Sequence, residues 1–180
     1  MDRNILDNRI PANSADAILI ALQNLMEKKD YRDITVSDIC REGNLSRKTF
    51  YKYYTSKEDV LDFLVESLCL GYTITDDHSI FLQYFEFWSH LKDWIAILIQ
   101  NNLWYEINKK VLHHSADDVR ERDWDALLNG HADRKTLVFE FTNFGLARMV
   151  EIWYESGFAM TPAELAHLTE HIISEQLRLC

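Results

Sequence analysis

The stretch from Thr35 to Leu61 leaves this chain few ways to fold. Thr35 is a good N-cap for a short helix predicted over about residues 36–42, because its hydroxyl can accept from an otherwise unpaired amide of the first turn. Gly43-Asn44 can take positive φ and stop that helix. Leu45 follows as an apolar plug, and Ser46 caps a second helix. Ser56 caps a third at Lys57, with Asp59 at the third position of its first turn, as in a capping box. Two short helices joined by a tight turn, with a third behind them, form a helix-turn-helix pattern.

Mapped at about 100° per residue, the second helix has two unlike sides. Phe50 and Tyr54 fall together, where they can pack on Ile39. Lys52 lies opposite them with Lys48 beside it. Thr49 and Tyr53 flank one edge of that outer face, and Arg47 and Tyr51 the other. Between Arg41 and Lys57 there are five cations (Arg41, Arg47, Lys48, Lys52, Lys57) and one anion, Glu42. Such a surface suits a polyanion, and a helix of this kind fits the DNA major groove. Lys48 and Lys52 would point deepest, where lysine donates to guanine O6 and N7. Tyr51 on the margin and Lys57 at the start of the next helix would meet the phosphate backbone.

The run from Ile18 to Leu61 resembles the TetR family of bacterial one-component transcriptional regulators. The matching positions are Ala21-Leu22, Leu25-Met26, Tyr31, Ile34-Thr35-Val36, Ile39, Ser46, Thr49-Phe50-Tyr51, Tyr54 and Ser56 to Leu61. The resemblance covers about a quarter of the chain. Where many members carry glycine before the Thr-Phe-Tyr run, this chain has Lys48, a long cation placed where bases are read. The resemblance implies an all-α protein in two parts. Residues 1–56, with an arm over 1–12, would be the helix-turn-helix DNA-binding domain. Residues 57–180 would be a helical domain for dimerisation and ligand sensing. The expected partners are a palindromic double-stranded operator, a second copy of the chain and a small-molecule effector. The residues assigned to DNA are Thr35, Ser46, Arg47, Lys48, Thr49, Tyr51, Lys52, Tyr53 and Lys57.

A net charge of −10 looks wrong for such a protein until it is divided along the chain. Residues 1–62 carry 10 Lys/Arg against 11 Asp/Glu, whereas residues 63–180 carry 9 against 18. The acidity lies mainly outside the helix-turn-helix half, either as ordinary solubility charge or as a brake on non-specific DNA binding by the body. Two prolines and five glycines in 180 residues favour helix throughout. Three cysteines (Cys40, Cys69, Cys180) have no metal-like spacing, and an odd number argues against a disulfide framework. With no signal peptide and no apolar run of membrane-spanning length, a cytoplasmic address is expected. No hydrolase elbow, phosphate-binding glycine loop or dinucleotide fingerprint is present, so neither an enzyme nor a cofactor is expected.

Apolar periodicity predicts a helix over about 14–29, with Ile18, Leu19, Leu22, Leu25 and Met26 on one side. A second is expected from Lys57 to about Tyr72. Residues 80–112 are dense in aromatics and apolar nearly all round, as in a segment buried on several sides. Asn101-Asn102 should interrupt them. The cluster is either a solid core or a ligand cavity; Trp88, Trp104 and Tyr105 are the candidates for a lining. A polar stretch is expected over 113–134, with a short helix at 119–128. A long helix over 135–156, stopped by Gly157, and a last helix capped by Thr161 and Glu164 carry the apolar stripes assigned to a dimer interface. Its candidates are Phe141, Gly145, Met149, Ile152, Leu168 and Ile172. His167 and His171, with Glu164 one turn earlier, share a helix face, but no further ligand is spaced to join them, so no metal is expected. Two functional readings follow. The first is a ligand-responsive repressor; the second is a ligand-independent DNA-bound adaptor that recruits a partner protein.

Overall fold

Among residues 13–69, 79–119 and 135–178, which a computed structural model of the chain describes, every regular element is a helix. The chain divides into two compact units. One comprises Met1–Gly71 with Gln100–Asn102, the other Tyr72–Ile99 with Leu103–Cys180.

The first unit holds α1 (Ser14–Met26), a 3₁₀ turn (Tyr31–Asp33), α2 (Val36–Glu42), α3 (Arg47–Tyr53) and α4 (Lys57–Cys69). α1 buries Ile18, Leu19, Ala21, Leu22, Leu25 and Met26, and α2, α3 and α4 all pack on it. The turn between α2 and α3 divides two tasks between neighbours. Asn44 supplies the positive φ, 51°. Gly43 supplies closeness: a Cβ there would lie 3.2 Å from the Ala17 carbonyl oxygen and 3.3 Å from Ala21 Cβ. α1 ends three residues before the expected Lys29. The Lys28 and Lys29 amides both turn back to the Leu25 carbonyl, and the Met26 carbonyl accepts from Asn101 Nδ2 at 3.0 Å.

The second unit holds α5 (Ile80–Ser89), most of α6 (Lys92–Gln100), α7 (Trp104–Val119), α8 (Lys135–Glu155) and α9 (Pro162–Arg178). The aromatic stretch is broken at Asn101-Asn102 as expected, where Asn102 has φ 57°. It is also broken at His90-Leu91, which periodicity did not reveal. α7 (Trp104–Val119) runs on through the beginning of the stretch expected to be polar. The rest of the short helix expected over 119–128 lies outside the described residues. Gly157 at φ 69° ends α8. Thr161 and Glu164 form the expected reciprocal cap on α9: Glu164 donates its amide to Thr161 Oγ1 and accepts from the Thr161 amide at 2.7 Å. α9 packs on α5, and α7 on α8.

Candidate nucleic-acid interface

α3 owes its orientation to its inner side. Phe50 is fully buried and Tyr54 nearly so, their rings tilted at 49° to one another with centres 6.2 Å apart. Burying two aromatic rings fixes which side faces out. Arg47, Lys48, Tyr51, Lys52 and Tyr53 are accordingly exposed, with Thr49 half-buried. Among the described residues neither Lys48 nor Lys52 has an acidic partner within ion-pairing distance. Lys52 Nζ rests over the Tyr53 ring at 5.3 Å. Arg47 donates to Ser37 Oγ and to Tyr51 Oη, both at 3.2 Å.

Caps set the approach to that face. Thr35 and Asp38 form a capping box at the start of α2. Lys29, donating to Asp38 at 2.7 Å, and then Thr35 hold the Asp38 carboxyl far below the usual carboxylate range. Ser46 accepts from the Thr49 amide at 3.0 Å, and the two hydroxyls meet at 2.8 Å. Thr35 and Ser46 are therefore exposed residues with structural duties as caps. Lys57 differs from the other assigned cations. It is half-buried, and its ammonium donates to the carbonyls of Tyr31, Arg32 and Ile34 at 2.8, 3.2 and 2.9 Å. It also stands 4.5 Å from the centre of the Tyr31 ring.

In this geometry an exposed basic helix face, rigidly backed and flanked by hydroxyls, has its charges open to a polyanion. The family model for bacterial regulatory proteins of the tetR family matches residues 18–63, the segment that builds this face. That segment is of the tetR family. Over 48 residues, 27% of this chain, it is 46% identical to the uncharacterised HTH-type regulator YxbF of Bacillus subtilis strain 168. Over 52 residues, 29% of the chain, it is 44% identical to the HTH-type regulator EthR of Mycolicibacterium smegmatis. Over 67 residues, 37% of the chain, it is 31% identical to DhaS of Lactococcus lactis, the transcriptional activator of the dhaKLM operon. These alignments span 13%, 24% and 32% of the relatives' own lengths. A solved structure of the dihydroxyacetone kinase operon activator DhaS, 18% identical, aligns with a TM-score of 0.45 over 92% of this chain and 97% of that one.

The other candidates lie in the second unit. Trp88 and Trp104 are buried side by side, ring centres 4.6 Å apart and edge to face. Trp104 Nε1 donates to the Ala147 carbonyl at 3.0 Å, whereas the buried Trp88 Nε1 has no acceptor among the described residues. Tyr105 is apart from them, at the surface. Its hydroxyl donates to Glu151 at 2.7 Å, and that bond raises the phenol's pKa. Periodicity singled out the rings and passed over the amides. Tyr84 donates to Asn108 at 2.8 Å, and Asn108 to Asn143 at 3.1 Å, all buried. The signal was present in Asn108, which falls on the apolar stripe of Trp104, Ile107 and Val111.

Of the interface candidates, Phe141 is 70% exposed, Ile152 50%, Leu168 40% and Ile172 41%. Gly145 is exposed as well, whereas Met149 is half-buried, with Thr169 donating to its sulfur. Leu137 and Phe144, on the same apolar side though not among the interface candidates, extend the exposed row on α8. His167 and His171 are exposed, and among the described residues no three His, Cys, Asp or Glu side chains are grouped to hold a metal ion. Among those residues no helix is long and apolar enough to cross a membrane.

Proposed function

We propose that this chain is a ligand-responsive transcriptional regulator that binds a palindromic operator as a homodimer and acts as a repressor. The observation that carries this reading is the outer face of α3, with Lys48 and Lys52 exposed, opposed by no acidic partner among the described residues and backed by buried Phe50 and Tyr54. Thr35, Ser46, Arg47, Thr49, Tyr51 and Tyr53 supply the hydroxyls and the further charge that fix register on phosphates.

A single short helix reads few base pairs, and two copies related by a two-fold axis read two half-sites one helical turn or its multiples apart. The row of Leu137, Phe141, Phe144 and Ile152 on α8, with Leu168 and Ile172 on α9, supports dimerisation. An apolar row this exposed is what an interface leaves when its partner is removed. Repression follows from occupancy, since a dimer seated across an operator excludes other proteins from that DNA. One relative, DhaS, is named an activator, the sign opposite to the one proposed here.

Ligand response is supported by the interior of the second unit. An indole N–H buried without an acceptor costs about 1–3 kcal/mol, which a ligand carbonyl or ether can return. The neighbouring buried polar groups are amides and hydroxyls, so the effector is an uncharged aromatic or hydrophobic molecule. The adaptor reading draws support from the close packing of Trp88 on Trp104 and from the same exposed apolar row.

A panel of neutral aromatic ketones and esters, screened by tryptophan fluorescence, separates the two readings. A compound that binds is expected to weaken operator affinity at least tenfold, a coupling of about 1.4 kcal/mol. Compounds that bind and leave operator affinity unchanged would remove the sensing model in favour of the adaptor.

A further inference from the structure

The corner between α1 and α2 is held from two directions by residues far away in sequence. On one side, the Lys57 ammonium spends its three N–H donors on the carbonyls of Tyr31, Arg32 and Ile34. On the other, Asn101 uses both ends of its amide. Its Oδ1 accepts from the Tyr31 amide at 2.6 Å, and its Nδ2 donates to the Met26 carbonyl at 3.0 Å. Asn101 is 2% exposed. It lies 70 and 75 positions from its two partners, outside the residues 18–63 that match the family model.

We infer that Asn101 is a positioning residue of the DNA-reading unit, which is discontinuous in sequence and is completed by Gln100–Asn102. Three observations lead there. The Met26 carbonyl and the Tyr31 amide are the groups left over where α1 stops and the 3₁₀ turn begins, and a buried backbone group without a partner is costly. One planar amide with a donor and an acceptor meets both, which no aliphatic or acidic side chain can do. The corner so fixed leads into Thr35, the cap of α2, and α2 carries α3 through the tight turn at Gly43-Asn44. An amide placed here therefore sets the entry angle of the helix pair that presents Lys48 and Lys52, without touching DNA itself. The turn that carries Asn101 is continuous in the chain with α6 and α7, so a rearrangement of those helices has a covalent route to the corner. This step rests on the DNA-binding reading above.

The test uses the full-length chain and a duplex that the wild-type protein selects from a random-sequence library. Asn101→Ala and Asn101→Leu are compared with the wild type at a temperature where all three are folded by circular dichroism. Affinity is expected to fall about tenfold, as two lost buried hydrogen bonds imply. The loss should be even across base-pair variants of the duplex, with the salt dependence unchanged, because Asn101 neutralises no phosphate. Amide exchange should accelerate at Tyr31 and its immediate neighbours while the middle of α1 stays protected. Undiminished affinity in both variants would overturn the inference. So would a loss accompanied by general exchange throughout α1 to α4, since Asn101 would then only keep the unit folded. If the wild type selects no duplex at all, the DNA-binding reading fails first, and the Tyr31 exchange result still reports whether Asn101 holds the corner.

Discussion

Gly145→Phe is expected to break the proposed dimer into monomers while leaving each protomer folded. Gly145 is exposed midway along α8, and a Cβ there would meet nothing within 4 Å. A side chain at this position is therefore tolerated inside the protomer. Phenylalanine is also a better helix former than glycine, so local stability should not suffer. A partner helix lying on the row of Phe141, Phe144 and Ile152 would meet the new ring at its closest approach. Overpacking of that kind costs about 1–3 kcal/mol per interface contact and is felt twice across a two-fold axis. The dimer should weaken by roughly 100-fold or more, and operator affinity should fall with it. Sedimentation equilibrium at micromolar concentration reads the first effect and operator titration the second. A Gly145→Phe protein that remains dimeric and binds DNA normally would place the interface on another face.

The second large effect belongs to the outer face of α3. Lys48→Ala or Lys52→Ala should cost about 1–3 kcal/mol on the operator and relax preference at particular base pairs. Each ammonium is exposed and, among the described residues, has no acidic partner. Little folded-state structure is lost with it, and the change in binding is attributable to DNA. Tyr51→Phe should instead weaken all sequences nearly alike, since its hydroxyl sits at the margin and accepts from Arg47. A binding series on operator variants at several salt concentrations distinguishes the two classes. An even loss across all variants for both lysine substitutions would make them backbone contacts and move the reading face elsewhere.

The parts of this molecule that were legible in its sequence are those decided by neighbours. Thr35 with Asp38, Ser46 with Thr49, and Thr161 with Glu164 are separated by three residues, and each pair closes a cap. The buried side of α3 was equally open to reading, because Phe50 and Tyr54 recur at helical spacing. What escaped was set by distant groups. The Met26 carbonyl at the end of α1 is met by Asn101, which no window around residue 26 contains. The break at His90-Leu91 has neither proline nor glycine to mark it. Lys57 was assigned from its place at a helix start, a local argument. The direction of its ammonium is set by three carbonyls more than twenty residues upstream. Among the aromatics, spacing could not separate Trp88 and Trp104, which are buried, from Tyr105, which lies at the surface against Phe144 and Glu151. That difference depends on which helix covers which face.

In the function proposed above, a symmetric pair of α3 helices reads DNA through the face bearing Lys48 and Lys52. Selection from a random duplex library by the purified full-length chain, followed by sequencing, tests it most directly. The expected result is enrichment of an inverted repeat whose half-site centres lie one helical turn, about 10 base pairs, or a multiple of it apart. Guanines in each half-site should be lost from the pool selected by the Lys48→Ala, Lys52→Ala double variant. Enrichment of no sequence, of a single unrepeated site, or of the same repeat by that variant would contradict the proposed function.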